Sequence, residues 1–277
     1  MEKIDDIIKE KLVNMLEMVH NLCDKNGIPY YIIGGTQLGA VRHKGFIPWD
    51  DDIDIGIPRP FYQKFINLCK KELKENYAID QYKELKNGKK YYFYYSKVRD
   101  NSIKVKEDKY GKDGNYSGIW IDVFAIDGIP SSKIKFIEFK LKRNILKTLR
   151  AFSQIDYIRK QNTRSKIQKV LISFAKITNI GNLINQEKLA KVIEKNMIKN
   201  DFNKSTIARE IYGCYGDREF MKKDIFGKPT LYNFERLKVY GVEDYNEYLT
   251  HMYGDYMTPP PEEKRIPSHY KDVIIEK

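Results

Sequence analysis

The stretch from Tyr30 to Ile57 constrains this chain more than any other. An apolar run, Tyr30-Tyr31-Ile32-Ile33, stops at Gly34-Gly35. After a short segment come Pro48-Trp49 and then four aspartates within five residues: Asp50, Asp51, Asp52 and Asp54. Ile53, Ile55 and Ile57 interleave and follow them. Successive side chains of a strand point to opposite faces. The alternation therefore sets Asp52 and Asp54 on one face and buries the three isoleucines on the other. Two carboxylates on one strand face repel unless a cation lies between them, and hard oxygen ligands at this spacing suit Mg²⁺ or Mn²⁺. The plain alternative is an acidic turn at a strand end; the glycine turn and the interleaved apolar residues weigh against it. A calcium EF-hand loop is excluded. Counted from Asp50, the sixth position is Ile55 rather than glycine and the twelfth is Phe61 rather than glutamate.

The surroundings of this stretch read as helix and strand in alternation. Residues 2–25 place Ile4, Ile8, Leu12, Met15, Val19 and Leu22 on one helical face. Asn26-Gly27 and Pro29 end that helix. Gly34-Gly35 lets the backbone turn sharply and approach a ligand closely. Thr36 is expected to cap a short helix, Gln37–Arg42, whose N-terminal amides would face an anion. Arg42, His43 and Lys44 form a basic cluster before the aspartates. They read either as a solvated loop or as contacts to phosphates that a metal also binds. A helix over residues 61–75 is followed by three expected strands: Tyr77–Tyr82, Lys90–Arg99 and Ser102–Lys106. Asn87-Gly88 suggests a hairpin between the first two. Lys97 and Arg99 share a strand face. They either point at the site or form the polar face of an edge strand.

A second informative stretch is GIWIDVFAIDGIP, residues 118–130, in which Asp122 interrupts an apolar strand. A buried carboxylate without a partner costs several kcal/mol, and a metal shared with Asp52 and Asp54 would supply one. Asp127, before Gly128 and Pro130, has turn chemistry and reads as structural. From residue 131 to 178 the chain is helical and very basic, with thirteen Lys and Arg against Glu138 and Asp156. Basic amphipathic helices suit anionic membrane surfaces; a helical subdomain with a solvated basic face is the alternative. A helix at about Gln186–Lys199, a strand Leu231–Tyr240, a short helix Glu243–Met252 and an extended Pro259-Pro260-Pro261 tail follow.

These elements predict an α+β fold with three parts: a catalytic core over residues 1–130, a basic helical subdomain over 131–200, and a mixed C-terminal segment, 201–277, packing on the core. The formal charge of +12 points to an anionic partner. Cys23, Cys69 and Cys214 are widely spaced, with no zinc pattern, which suggests a reducing compartment. The charged N-terminus lacks an apolar signal core, and no run reaches the roughly 20 apolar residues that cross a bilayer. The expectation is a cytoplasmic protein, soluble or peripheral at the inner face of the cell membrane.

Three stretches together resemble the LicD family, bacterial relatives of fukutin and fukutin-related protein. They are GGTQLGAVRHKGFIPWDDDIDI (34–55), GIWIDVFAIDGIP (118–130) and YGDYMTPPPEEKR (253–265), and the resemblance runs from about residue 20 to 270. Ala125 departs from the family pattern, in which proline follows the phenylalanine. The resemblance implies a nucleotidyltransferase-like mixed sheet flanked by helices. It also implies a metal site at Asp52, Asp54 and Asp122, assisted by Asp50. Family members transfer a phospho-alcohol, such as phosphocholine from CDP-choline or ribitol phosphate from CDP-ribitol, onto a glycan hydroxyl. The expected machinery is then two Mg²⁺ or Mn²⁺ ions on the aspartates, with Asp122 also accepting the hydroxyl proton. Gly34, Gly35 and Thr36 would hold the diphosphate, and Arg42, His43, Lys44, Lys97 and Arg99 are candidate phosphate contacts. The expected partners are a CDP-alcohol, a glycan acceptor that is lipid-linked, and an anionic membrane; nucleic acid is not among them. Two other readings stay open: nucleotidyl transfer from an NTP, and a non-enzymatic anion- or membrane-binding protein. The last leaves three carboxylates on apolar strands unexplained.

Overall fold

In a computed structural model of the chain, residues 2–81, 94–107, 116–153, 166–210, 213, 215–265 and 270–275 are described. Helix α1 (Glu2–Lys25) buries Leu12, Met15, Leu16 and Val19, as its three/four spacing requires, and ends where Gly27 takes φ +60°. Strand β1 (Tyr31–Ile32) is only two residues long. Helix α2 (Gly34–Arg42) starts at once, and a loop returns the chain to β2 (Asp54–Pro58). The loop is pinned by Glu235, whose amide donates to the Lys44 carbonyl at 2.7 Å and whose carboxylate accepts from the Phe46 amide at 2.9 Å. Helix α3 (Arg59–Glu72), with Pro60 in its first turn, leads to β3 (Tyr77–Asp80). The long strands β4 (Ser96–Glu107) and β5 (Tyr116–Ile129) follow.

Three helices come next: α4 (Lys133–Ser153), α5 (Lys166–Thr178) and α6 (Gln186–Met197). The C-terminal part supplies β6 (Ile207–Arg209), β7 (Met221–Lys222), β8 (Thr230–Phe234), β9 (Leu237–Gly241), α7 (Tyr245–Tyr253) and β10 (Tyr270–Ile275). The main sheet path is β10-β4-β5-β2-β1-β9-β8, with β3 on β4, and with β6 and β7 extending from the far end of β5. The β2–β5 and β1–β9 pairs are parallel and the other neighbours antiparallel. The architecture is thus α+β, a mixed sheet flanked by helices, as expected.

Side-chain alternation splits the interior into two cores. Ile53, Ile55 and Ile57 of the β2 segment, with Ile119, Ile121 and Val123 of β5, pack with α1 and α3. Ile33, Phe124 and Ile126 point the other way, into a core closed by α7 and by Met221 and Phe226. A third, smaller core joins Ile129 to Phe139 and Leu146 of α4 and to Ile193 and Met197 of α6.

Several sequence expectations need correction. Thr36 does not cap α2; the helix starts at Gly34, and the Thr36 hydroxyl accepts the Asp54 amide at 2.8 Å. Ser96–Arg99 and Ser102–Lys106 belong to one strand, with a register shift between Asp100 and Lys104, rather than two. Leu231–Tyr240 is a hairpin, turned at Glu235 in a left-handed conformation. The C-terminal strand β10, which pairs with β4, had no counterpart in the sequence reading. Asp127 lies within β5 rather than in a turn; it is buried and held by Arg59, with Nη2 to Oδ2 at 2.8 Å. The expected Asn87-Gly88 hairpin lies outside the described residues.

Candidate active site

Three neighbouring strands line up Lys97, Asp122 and Asp54. Asp54 pairs with Asp122 across β2–β5, and Asp122 with Lys97 across β5–β4. Adjacent strands lie about 4.8 Å apart, so these side chains converge on one face. Asp52, just before β2, joins them: one carboxylate oxygen from each of Asp52, Asp54 and Asp122 lies within 4.8 Å of the other two. Backbone bonds fix the floor of this cluster. The Asp122 amide donates to the Ile53 carbonyl at 2.9 Å, and the Ile33 amide donates to the Asp54 carbonyl at 3.0 Å.

The electrostatics of the cluster are unbalanced. Burial, and then Asp52, Asp122, Glu210 and Asp50, push the Asp54 carboxyl well above the usual carboxylate range. The Lys97 ammonium lies 3.4 Å from Asp122 Oδ1 and 3.6 Å from the centre of the Trp120 ring. That places one buried positive charge among several negative ones. A divalent cation fits this donor set. An octahedral ion about 2.1 Å from each oxygen spans about 4.2 Å between opposite ligands, so small side-chain rotations would close the triad on it. Asp50, Asp51 and Asp52 form a second group with oxygens within the same 4.8 Å limit, and Asp52 is common to both.

The glycine turn is built into the cluster. Gly34 has φ +57°, the left-handed region that disfavours other residues, and a Cβ there would lie 3.3 Å from Asp54 Oδ2. A Cβ on Gly35 would lie 2.7 Å from Asp50 Oδ2. Gly35→Ala is therefore expected to displace the Asp50 carboxylate. The expected outcome is activity reduced by roughly tenfold or more, a barrier rise of about 1.4 kcal/mol, with little change in melting temperature. Steady-state kinetics beside a thermal melt checks this.

The C-terminal part braces the same turn. The Gly34 amide donates to the Tyr248 hydroxyl of α7 at 2.9 Å, so that amide is engaged within the protein. The Tyr253 hydroxyl contacts that of Tyr215 at 3.2 Å. Beside Asp54 and Gly34 opens a cleft lined also by Arg209, Glu210, Tyr215, Phe226 and Tyr248. Burial, and then Glu219, push the Glu210 carboxyl well above its usual range. Arg209 is buried; it binds Glu219 Oε2 at 2.6 Å and stacks on Phe220 at 3.9 Å.

The other candidate contacts are distributed differently. The Arg42 guanidinium lies 5.9 Å from the Trp49 ring centre and donates to the Tyr256 carbonyl at 2.8 Å. Arg265 lies over the same ring, at 5.1 Å. His43 and Lys44 are exposed; His43 accepts from Arg42 at 2.9 Å, and the Lys44 ammonium donates to the Val41 carbonyl at 3.2 Å, at the far end of α2 from Gly34. Arg99 is engaged by Asp80, by the Ser117 hydroxyl at 3.1 Å and by the Gly118 carbonyl at 2.8 Å. The shared face of Lys97 and Arg99 thus carries two different tasks. Of the tyrosines just before β4, Tyr91 and Tyr92 lie outside the described residues. Tyr94 packs under Arg150 and Tyr95 on Phe124.

Glu210, Tyr248 and Arg265 carry no role in the sequence reading. The signal for Glu210 is the one that exposed Asp122, a carboxylate beside apolar strand residues, here Ile207 and Ala208. A three-residue strand gives too short a pattern for it to stand out.

A family model described as "LicD/FKTN/FKRP, nucleotidyltransferase domain" matches residues 27–142. Over 266 residues, 95% of either chain, the sequence is 31% identical to the lipopolysaccharide cholinephosphotransferase LicD of Haemophilus influenzae. A segment of 31 residues, 11% of this chain and 6% of the relative, is 55% identical to the human ribitol 5-phosphate transferase FKRP. An uncharacterized protein of Rickettsia typhi is 34% identical over 118 residues, 38% of this chain and 35% of its own. The full-length likeness and the match over the aspartate-bearing strands agree with the fold, and the chain belongs to the LicD family.

Proposed function

We propose that this chain is a metal-dependent transferase that moves a phospho-alcohol from a CDP-alcohol to a hydroxyl of a cell-surface glycan or its lipid-linked precursor. The observation that carries this reading is the convergence of Asp52, Asp54 and Asp122 beside a glycine turn, in a chain that aligns along 95% of its length with a cholinephosphotransferase. Bound divalent ions, Mg²⁺ or Mn²⁺, would neutralise phosphate charge and align the displaced groups. Asp52, Asp54 and Asp122 would hold them, with Asp52 shared between two positions and Asp50 supporting the second.

The acceptor hydroxyl oxygen attacks the phosphorus that bears the alcohol. The bond from that phosphorus to the bridging oxygen breaks, and CMP leaves with the bond's electron pair. The hydroxyl proton needs a base. Asp122, buried beside Lys97, is committed to the cation cluster, whereas Glu210 lines the open cleft next to Asp54. We therefore move the base role from Asp122 to Glu210. Burial and Glu219 raise its pKa, which makes the ionised carboxylate a stronger proton acceptor. Glu210→Gln is expected to lower turnover by about 10²–10⁴-fold, the usual range for a lost general base. Donor binding, followed by thermal shift, should weaken far less than turnover falls.

Choline suits the cleft among the candidate alcohols. Tyr215, Phe226 and Tyr248 offer aromatic surface, and the carboxylates of Glu210, Glu219 and Asp54 outnumber Arg209. A quaternary ammonium is recognised by aromatic faces and nearby negative charge. The rival reading, nucleotidyl transfer, keeps the same carboxylates but releases pyrophosphate. A thermal-shift screen of CDP-choline, CDP-ribitol and CDP-glycerol against CTP, with and without Mn²⁺, tests the reading. Stabilisation by a CDP-alcohol only with the metal supports it; stabilisation by CTP alone opposes it.

A further inference from the structure

The helical region after β5 has more apolar surface than its own packing uses. Helix α4 carries two apolar stripes. Phe139 and Leu146 are buried against the third core. Ile134, Ile137, Leu141 and Ile145, spaced three or four apart, form a second stripe and are 79, 59, 62 and 51% exposed. At 3.6 residues per turn, Leu141 lies about half a turn round the helix from Phe139. Exposed Lys133 and Lys147 border this outer stripe on one side and Lys135 and Lys142 on the other.

Helix α5 is more extreme. Among its described side chains only Ala175 is fully buried, while Val170, Phe174 and Ile177 are 67, 54 and 84% exposed. Helices in water draw most of their stability from burying an apolar face, and the described side chains of α5 bury little of theirs. Both helices pack on the turn Ile180–Leu183, where a Cβ on Gly181 would lie 2.2 Å from the Phe152 carbonyl oxygen. Leu183 in that turn is itself 84% exposed.

The charge of the chain is concentrated in the same place. Residues 131–178 hold thirteen Lys and Arg against two acidic residues, a net +11 of the formal +12 for the whole sequence. We propose that the outer faces of α4 and α5 are a docking surface for an anionic phospholipid bilayer. The aliphatic stripes enter the headgroup–acyl boundary while the flanking lysines reach the lipid phosphates. A second copy of the chain is a poorer occupant, because it would bring two strongly basic surfaces together. No described helix is long and apolar enough to cross a membrane, so the contact is one of surface docking by these two helices. The inference does not depend on which group the cleft transfers.

The test is co-sedimentation of the full chain with vesicles of phosphatidylglycerol mixed with phosphatidylcholine, and with vesicles of phosphatidylcholine alone. The wild type is expected to bind the anionic vesicles and to favour them over the neutral ones. The double variant Ile137→Ser/Leu141→Ser keeps every charge and removes only exposed side chains, so its melting temperature should be unchanged. Its vesicle affinity should fall by roughly tenfold or more. Phe174→Ser/Ile177→Ser should act in the same direction. Failure to bind anionic vesicles overturns the proposal. So does binding that the serine variants leave intact, which would make the surface a basic patch only. A solution dimer by light scattering that the first variant converts to monomer also overturns it, since the stripe would then be a subunit interface.

Discussion

Asp54→Asn is expected to abolish transfer while making the protein without divalent cations more resistant to heat. The carboxylate is proposed to hold the catalytic cation, whose charge stabilisation is worth several kcal/mol; the expected loss is about a thousandfold or more in turnover. The stability effect has the opposite sign, for a separate reason. Burial and the neighbouring carboxylates raise the folded-state pKa of Asp54 above its unfolded value of 3.8. Its favourable contribution is complete below that unfolded value and is lost as pH rises through the raised folded pKa. Above the unfolded value the group therefore opposes folding, and asparagine removes the opposition. Each kcal/mol so relieved should raise Tm by roughly 2–4 °C in a chain of this size. Mn²⁺ should raise the wild-type Tm and leave that of the variant nearly unmoved. A variant that melts many degrees lower would mean that Asp54 is structural, not a cation ligand.

Lys97→Met should have the largest effect on stability. Lys97 is 1% exposed, ion-paired to Asp122 and stacked on Trp120. Methionine keeps most of the volume but leaves Asp122 without its positive neighbour, beside Asp54. Breaking a buried pair from one side costs about 3–5 kcal/mol, which corresponds to a Tm loss of roughly 10 °C. A divalent ion supplies positive charge to the same carboxylate, so added Mn²⁺ should recover part of the loss. Thermal melts with EDTA and with Mn²⁺ check both halves. Equal losses in the two conditions would separate Lys97 from the cation site.

The strand that carries the site was legible because its two faces have opposite chemistry. Ile53, Ile55 and Ile57 are fully buried, and Asp52 and Asp54 converge on the other side with Asp122. Asp122 was legible for a related reason, as a carboxylate inside an apolar strand. The division of labour between Lys97 and Arg99 was not. Both sit on one face of β4; β3 sets Asp80 opposite Lys97 in register, yet the Asp80 carboxylate binds Arg99 while Lys97 pairs with Asp122. The task of Thr36 was hidden in the same way, since its partner amide is eighteen residues away.

The apolar residues of α4 illustrate another limit. Their number marks an amphipathic helix, but periodicity alone does not say how much of that surface the fold covers. Phe139 meets Ile193 and Met197, which lie more than fifty residues later in the chain, while Ile137 meets no equivalent among the described residues. Likewise the C-terminal Tyr248 and Arg265 reach the first third of the chain at Gly34 and Trp49. Such contacts follow from tertiary packing and leave no local pattern to read.

A carboxylate-bound cation is proposed to control transfer of a phospho-alcohol from a CDP-alcohol. The most direct test is to incubate the protein with CDP-choline, Mn²⁺ and an acceptor glycan and to identify the products by mass spectrometry. The predicted result is CMP and phosphocholine-substituted glycan in equal amounts, with both lost in EDTA and in Asp54→Asn. Pyrophosphate and a nucleotidylated product from CTP, or transfer that persists without divalent cations, would contradict it.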